Sequence, residues 1–249
     1  MTPLVSIIMP LYNAERFVAQ SIESVLAQSH THWELLIADD HSNDGSVGIV
    51  KGFAERDTRI HLFEMPQNQG ASKCRDFLMQ QANGRFIAFL DSDDLWLPEK
   101  LEKQVVFMLD NNYAFTYTQY ETIAENGAPK NVVKTAGAVD YKKYLRNTII
   151  GCCTAMLDRR KLQALPILGE TRGDDMAMWL NILKQVEFAA PLDETLSQYR
   201  DREGSLSSNK IKAMQDVWHV YRHNEGLNIF QALFCFVGYA FNAVKKRLF

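Results

Sequence analysis

The chain is poor in the features that announce several common classes of protein. Cysteine is scarce, four in 249 residues (Cys74, Cys152, Cys153, Cys235), and none sits at metal-ligand spacing. The adjacent Cys152 and Cys153 lie in an apolar run, which points to buried thiols rather than a disulfide. There is no excess of positive charge: 27 Lys and Arg stand against 30 Asp and Glu, a net charge of −3. That excludes the global basic field of a nucleic-acid binder. Neither GxGxxG nor GxxxxGK[ST] occurs, so both familiar glycine-rich phosphate cradles are missing. No internal repeat and no low-complexity segment is present. No basic segment followed by an apolar one opens the chain, so the expected compartment is a reducing cytoplasm. What remains is ordinary globular composition, 47% hydrophobic and 23% charged, enough for one large domain or a domain with a helical annex.

One stretch organises the rest. Phe86, Ile87, Ala88, Phe89 and Leu90 run together after Asn83-Gly84, and then Asp91, Asp93 and Asp94 fall within four positions around Ser92. The apolar run reads as a strand buried on both faces. Its far end must emerge from the sheet, because clustered carboxylates are not buried unpaired. A hard divalent cation, Mg²⁺ or Mn²⁺, shared between such carboxylates and a substrate diphosphate, answers their mutual repulsion. An isolated Asp-x-Asp is more often a solvated acidic turn capping a helix, here one starting near Pro98. The upstream chain reverses that preference.

Upstream, strand-like and helix-like segments alternate. Residues 4–9 form a strand stopped by Pro10, and Val18, Ile22, Val25 and Leu26 share one helical face. Residues 33–38 form a second strand ending at Asp39-Asp40, and a turn cluster then leads to a helix that Ser46 could cap. A third strand (60–63) and a third helix (70–83) precede the organising stretch. This alternation implies a mostly parallel sheet flanked by helices, in which ligands bind beyond the carboxyl ends of the strands. Pro10, Leu11, Tyr12 and Asn13, then Asp39-Asp40, then Asp91 to Asp94 all lie at those ends. An aromatic ring can stack on a base, a carboxylate can accept from a base N–H or a ribose hydroxyl, and a metal-binding carboxylate can hold a diphosphate. Together they describe a nucleotide-diphosphate site.

These segments, Val5-Ser-Ile-Ile-Met-Pro-Leu-Tyr-Asn13, Ser24-Val-Leu-Ala-Gln28, Trp33 to Asp40, Ser42-Asn-Asp-Gly45 and Phe89-Leu-Asp-Ser-Asp-Asp-Leu-Trp96, closely resemble the family 2 glycosyltransferases over residues 4 to about 110. The resemblance implies the GT-A fold, a Rossmann-like α/β domain, and an inverting transfer from a nucleotide sugar, usually UDP-linked, with Mn²⁺ or Mg²⁺. It implies that Tyr12 and Asp39 face uracil while Asp40 supports the loop, that Asp91 and Ser92 approach the donor ribose or sugar, and that Asp93 is the main metal ligand with Asp91 beside it. Gly70-Ala-Ser-Lys-Cys-Arg75 matches the family's small-residue run ending in arginine, with Asp76 where asparagine is usual. Arg75 would then hold the donor sugar or the Asp-x-Asp loop, and Lys73 is a diphosphate candidate.

In the second half, an amphipathic helix follows Pro98-Glu99 with Leu101, Val105, Met108 and Leu109 inward. A β-rich stretch (113–120), a hairpin turn (125–129), a short helix (141–146) and a buried strand (148–157) come next. Asp174-Asp175 precede a helix with Met178, Trp179, Ile182 and Leu183 inward. Acids at a helix start are commonplace caps. An inverting transfer, however, needs one base to deprotonate the acceptor hydroxyl, and this stretch resembles the family's Glu-Asp before a Leu-Trp-Leu helix. Asp175 aligns with the base, and Asp174 replaces a longer acid on the acceptor side. Residues 198–210 resemble the family's Tyr-Arg-x-His segment, with Arg202 at the histidine position. Arg202 cannot ligate a metal but can donate to phosphate oxygens.

Residues 227–244 are almost wholly apolar and end in Lys245-Lys246-Arg247. Eighteen residues reach only the low end of a membrane span, and Asn228, Gln231 and Asn242 interrupt them. The preferred expectation is a helix lying on the inner face of the cytoplasmic membrane; the alternative is packing on the domain or on a second subunit. The expected organisation is a GT-A domain over residues 1–205 (nucleotide-sugar half 1–110, acceptor half 111–205) and C-terminal helices over 206–249, the last at 227–247. By overall resemblance the chain is similar to enzymes of capsule, teichuronic-acid or lipopolysaccharide synthesis, acting on a glycan or polyprenyl-linked acceptor. The competing functions are a nucleotide-sugar-binding scaffold without catalysis and a sugar-nucleotide nucleotidyltransferase. The latter normally carries a glycine-rich basic loop after the first strand, where Pro10 to Asn13 stand here.

Overall fold

In a computed structural model that describes residues 2–167, 174–202 and 210–248, the side chains of Asp174, Lys210 and 243–248 excepted, strand and helix alternate from the start. The elements are β1 (Val5–Leu11), α1 (Val18–Leu26), β2 (Trp33–Asp39), α2 (Ser46–Ala54), β3 (Ile60–Glu64), α3 (Ala71–Gln81), β4 (Phe86–Phe89), β5 (Leu95–Trp96) and α4 (Lys100–Asp110). They continue with β6 (Phe115–Ala124), β7 (Pro129–Val133), α5 (Tyr141–Tyr144), β8 (Met156–Asp158), α6 (Asp174–Leu183), β9 (Ala190–Asp201), α7 (Lys210–His219) and α8 (Ile229–Leu248). One sheet runs in the order β3-β2-β1-β4-β8-β6-β9-β5, with β7 paired to β6. The first four strands are parallel, as the alternation predicts. Antiparallel pairs enter at β8. β1, β2 and β4 are buried at every position, the polar Ser6, Glu34 and Asp39 included, as strands covered on both faces must be.

Successive residues of β1 divide two cores. Ile8 points with Leu36, Ile87 and Phe89 toward α3 and α6, where Trp179 is wholly buried. Ile7 and Met9 point with Leu35 and Ile37 toward α1 and α4. This is the period of two expected of a pleated strand. Ala232 and Cys235 of α8 belong to the first core, so the C-terminal helix is docked on the sheet domain along one face.

Several boundaries differ from the sequence reading. β1 runs through Pro10 to Leu11. Leu11 O accepts from Asp40 N, whereas Ile8 O accepts from Leu90 N, so odd positions bond to β2 and even ones to β4. Pro10 therefore lacks its N–H on the side where β4 has already ended, and no ladder bond is lost. Residues 148–157 are not one strand: Cys152–Thr154 form a 3₁₀ turn and only Met156–Asp158 pair with β4. Ser46 does not cap α2; Asp44 Oδ1 accepts from Ser46 N at 3.0 Å, and the Ser46 hydroxyl accepts from Ala14 N. Leu26 and Leu109 are exposed, one step off the buried faces of α1 and α4. β9 was not foreseen. Its burial lacks a clean alternation because its parallel register with β6 shifts twice, around Thr118, Gln119 and Tyr120.

Candidate active site

The parallel strands deliver their loops to one edge. At the end of β1, Tyr12 is exposed and Asn13 takes a left-handed conformation with φ of 47°. The turn is tied to the loop after β2: Asn13 N donates to Ser42 Oγ (3.0 Å) and Asn43 N donates to Asn13 Oδ1 (2.9 Å). Pro10 and Leu11 are buried, Leu11 in the core, so their side chains serve packing and only Tyr12 and Asn13 reach the edge.

Asp39 and Asp40 have separated roles. Asp39 Oδ2 accepts from Ser42 N at 3.0 Å, whereas its Oδ1 is buried with no partner. A buried acceptor without a donor is costly, on the order of 1–3 kcal/mol, and is a natural place for a ligand N–H or hydroxyl. Asp40 accepts from Gln69 N (2.7 Å) and Gly70 N (2.8 Å), one bond per oxygen. It fixes the loop before α3, and both of its carboxylate oxygens are committed there. Gly70, with φ of 89° and ψ of 158°, occupies backbone space open essentially to glycine alone.

That loop aims α3 so that Arg75 sits in the interior between two acids. Arg75 Nη2 donates to Asp91 Oδ1 at 2.6 Å, and Nη1 lies 3.3 Å from Asp175 Oδ1. One guanidinium thus bridges the end of β4 and the first turn of α6, segments far apart in sequence. Asp175 itself is partly exposed, so one side of its carboxylate faces the bridge while the residue borders solvent. Asp174 opens α6. Lys73 lies partly buried in the first turn of α3.

The Asp91 to Asp94 loop is held through both its backbone carbonyls and its carboxylates. Ser21 Oγ, on α1, lies 3.0 Å from Ser92 O and 2.8 Å from Asp94 O and donates to one at a time. Arg200, near the end of β9, donates from Nε to Asp93 O (2.8 Å), from its backbone N to Asp94 Oδ1 (2.9 Å), from Nη1 to Glu125 O and from Nη2 to Gln20 Oε1. Ser92 is buried with its carbonyl toward α1. Asp93 Oδ2 lies 2.7 Å from Arg202 Nε. Burial, and then the neighbouring Asp91 charge, push the Asp93 carboxyl up, with Arg202 and Arg200 pulling the other way. Burial, then Asp93 and Asp91, push Asp94 well above the usual carboxylate range. Three acids in four positions are therefore reconciled by burying one and setting an arginine on each of the others. Arg200 and Ser21 carry this loop, yet neither was given a role from sequence. The only signal was the Tyr199-Arg200 pair within the resembling segment.

Among the described residues no group of three or more His, Cys, Asp or Glu side chains could by itself hold a metal. Asp91 and Asp93 form a two-carboxylate oxygen set whose charges repel, which suits a hard cation that completes its sphere with diphosphate oxygens and water.

These loops gather beyond the carboxyl ends of the parallel strands, where an α/β sheet of this kind binds its ligand. Residues 6–165 match Glycosyl transferase family 2, and the chain belongs to that family. It is 43% identical over 247 residues, 99% of this chain and 98% of the relative, to the protein of Bacillus subtilis (strain 168) assigned to teichuronic acid biosynthesis as the glycosyltransferase TuaG. It is 42% identical over 220 residues, 87% of this chain and 85% of the relative, to the Escherichia coli UDP-Glc:alpha-D-GlcNAc-diphosphoundecaprenol beta-1,3-glucosyltransferase WfgD. Among solved structures, S. aureus TarS 1-349 in complex with UDP-GlcNAc matches with a TM-score of 0.72 at 21% identity, over 88% of this chain and 64% of that one. The mannosyltransferase PcManGT from Pyrobaculum calidifontis, in complex with GDP-Man and Mn²⁺, matches with a TM-score of 0.67 at 15% identity, over 99% of this chain and 71% of that one. At such identities the solved structures speak for the fold.

Proposed function

We propose that this glycosyltransferase moves a sugar, with inversion, from a UDP-sugar to a hydroxyl of a lipid-linked or oligosaccharide acceptor in bacterial cell-surface polysaccharide synthesis. The observation that carries the reading is the Arg75 bridge, which sets the donor-side Asp91 and the acid Asp175 on either side of one buried guanidinium. Asp175 removes the acceptor proton, the acceptor oxygen forms a bond to the anomeric carbon, and the bond from that carbon to the diphosphate oxygen breaks with its electron pair leaving on UDP. Arg75 aims Asp175 through an ion pair at 3.3 Å, and a positioned base of this kind contributes roughly 10²–10⁴-fold. Tyr12 offers an exposed ring for the base, and the unpartnered Asp39 Oδ1 offers an acceptor for its N–H. Asp93, with Asp91 beside it, would hold Mn²⁺ or Mg²⁺, which when bound neutralises the leaving diphosphate. Arg202, already on Asp93, is a donor placed to follow the phosphate oxygens, and Lys73 is a second diphosphate candidate.

The relatives support the setting. One is assigned to teichuronic acid biosynthesis, and another is named for UDP-Glc and a diphosphoundecaprenol acceptor. An acceptor of that chemistry would place this enzyme at the inner face of the cytoplasmic membrane. No helix among the described residues is long and apolar enough to cross a membrane.

Asp175→Asn tests the assignment. It should cut kcat by about 10²–10⁴-fold while the Kd for the UDP-sugar, read by calorimetry with Mn²⁺, stays within a factor of two or so. Asp93→Ala should instead abolish the metal dependence of donor binding. Wild-type protein that binds a UDP-sugar yet neither transfers nor hydrolyses it would make the chain a binding scaffold.

A further inference from the structure

α8 has two unlike faces. Its inner face is spent on the domain: Ala232 and Cys235 are buried, Phe236 meets Trp218 edge-on at 5.9 Å, and Gly238 admits the aliphatic stem of Arg146, 3.0 Å from where a Cβ would sit. Its outer face carries Ile229, Phe230, Leu233, Phe234, Val237 and Phe241, all exposed, Phe230 at 80% and Phe241 at 69%. At about 100° per residue these six fall within an arc of roughly 140°, and they extend for about 18 Å along the helix. Scattered apolar side chains on a surface are ordinary, but a continuous row of this kind marks a contact.

The charges around the row select the partner. Residues 226–249 contain no Asp or Glu, whereas Lys245, Lys246 and Arg247 close the segment. The Arg146 guanidinium lies 5.7 Å from the Phe234 ring, adding a cation at the edge of the apolar row. A second copy docked through the same face would bring no acid of α8 to meet this charge. An apolar stripe with basic residues at its border and no acid is the composition of a helix that lies in the plane of an anionic lipid surface.

We propose that α8 is an interfacial anchor, lying flat on an anionic bilayer with Phe230, Phe234 and Phe241 at the acyl boundary and the 245–247 cations among the headgroups. The anchor is coupled to the site. Glu225, just before α8, has its side chain buried and is held by Lys184 at the end of α6 (2.8 Å) and by the Tyr141 hydroxyl on α5. The helix that carries Asp175 in its first turn is thereby held in a set orientation to the anchor. The purpose of the anchor rests on the proposed lipid-linked acceptor, but its existence does not.

The test is sedimentation of the full chain with vesicles, without substrate. Phosphatidylcholine vesicles containing one-third phosphatidylglycerol should bind it, and pure phosphatidylcholine vesicles should bind it about 100-fold more weakly if three cations each contribute their usual share. Phe230→Ser, Phe234→Ser and Phe241→Ser together should lower the partition coefficient at least tenfold while Tm and UDP-sugar Kd stay at wild-type values. Replacing Lys245, Lys246 and Arg247 by Gln should remove the preference for the anionic vesicles. Absence of wild-type binding, or equal binding by the triple serine variant, overturns the proposal. So does a concentration-dependent dimer in analytical ultracentrifugation that the serine substitutions dissolve, which would give the face to a second copy. Failure of the transferase reading would appear elsewhere, as loss of bulk UDP-sugar turnover.

Discussion

At the scale of single residues, two buried cations carry opposite assignments. Arg75 has acids on both sides and is positioned by them; Lys100 has none. The planar fork of Arg75 reaches Asp91 and Asp175 at once, which a single ammonium cannot do. Arg75→Lys should therefore lower kcat by at least tenfold, because a single ammonium holds one of the two acids and leaves the other unaimed. Steady-state kinetics of the two proteins check this, and an unchanged kcat would confine Arg75 to packing. Lys100 Nζ lies 4.0 Å from the Trp96 ring centroid, and burial pushes its ammonium down from 10.5 to about 7. Between those values the unfolded chain holds a proton that the folded chain has released, so stability rises with pH across the window and the full burden remains below about pH 7. Lys100→Met should raise stability by ~1 kcal/mol or more at pH 6, with the gain shrinking toward pH 10, as urea titrations at both values would register. Residue types were the most legible part of the site, since Asp39, Asp91, Asp93 and Asp175 stand out as acids at strand and helix ends. Their partners were less legible. Arg75 was expected on the donor sugar or the Asp-x-Asp loop and does reach Asp91, but its second acid, Asp175, and the Arg200 clamp join segments that only tertiary structure brings together.

At the scale of elements, the β4 edge depends on a close backbone approach. A Cβ on Gly84 would lie 2.6 Å from Ser6 N and 2.8 Å from Leu4 O, both backbone atoms that cannot swing aside. Gly84 N also donates to Ser6 Oγ at 2.8 Å, and that hydroxyl donates to the buried Glu34 at 2.5 Å. Gly84→Ala should cost about 1–3 kcal/mol, visible as a lower urea midpoint with an unchanged slope. It should also loosen the Asp-x-Asp loop that β4 presents, weakening UDP-sugar binding in parallel. The parallel half was readable because β1, β2 and β4 are covered on both faces and read as mostly apolar runs, with β3 a short strand at the sheet edge. The second half was not. β9 packs with two register shifts and mixes acids with apolar residues, so no period survives in its sequence. Cys152–Thr154 look like strand by composition, yet they turn because Thr154 N and Oγ1 both donate to Gly151 O.

At the scale of the whole molecule, the question is how the docked C-terminal helices bear on a site whose proposed base, Asp175, lies on another element. The connection runs through Glu225. Its side chain is only 3% exposed, and it receives Lys184, just after α6, and the Tyr141 hydroxyl from α5. Burial and the Glu225 carboxylate push the Tyr141 phenol above its usual range, so Tyr141 remains a donor at any working pH. Glu225→Gln keeps the volume and one acceptor but removes the charge that holds Lys184. Lys184 is half-exposed and can turn to water, so the stability cost should be modest, about 1–2 kcal/mol. The larger effect should be on coordination between anchor and base. Vesicle binding should survive, since α8 keeps its outer face, and UDP-sugar affinity should survive, since the strand edge is untouched. What should fall, by severalfold, is kcat with an acceptor embedded in vesicles relative to kcat with a short soluble analogue. Equal losses on the two acceptors would mean that Glu225 serves stability alone, and that the C-terminal helices hold the enzyme at the surface without orienting its active site.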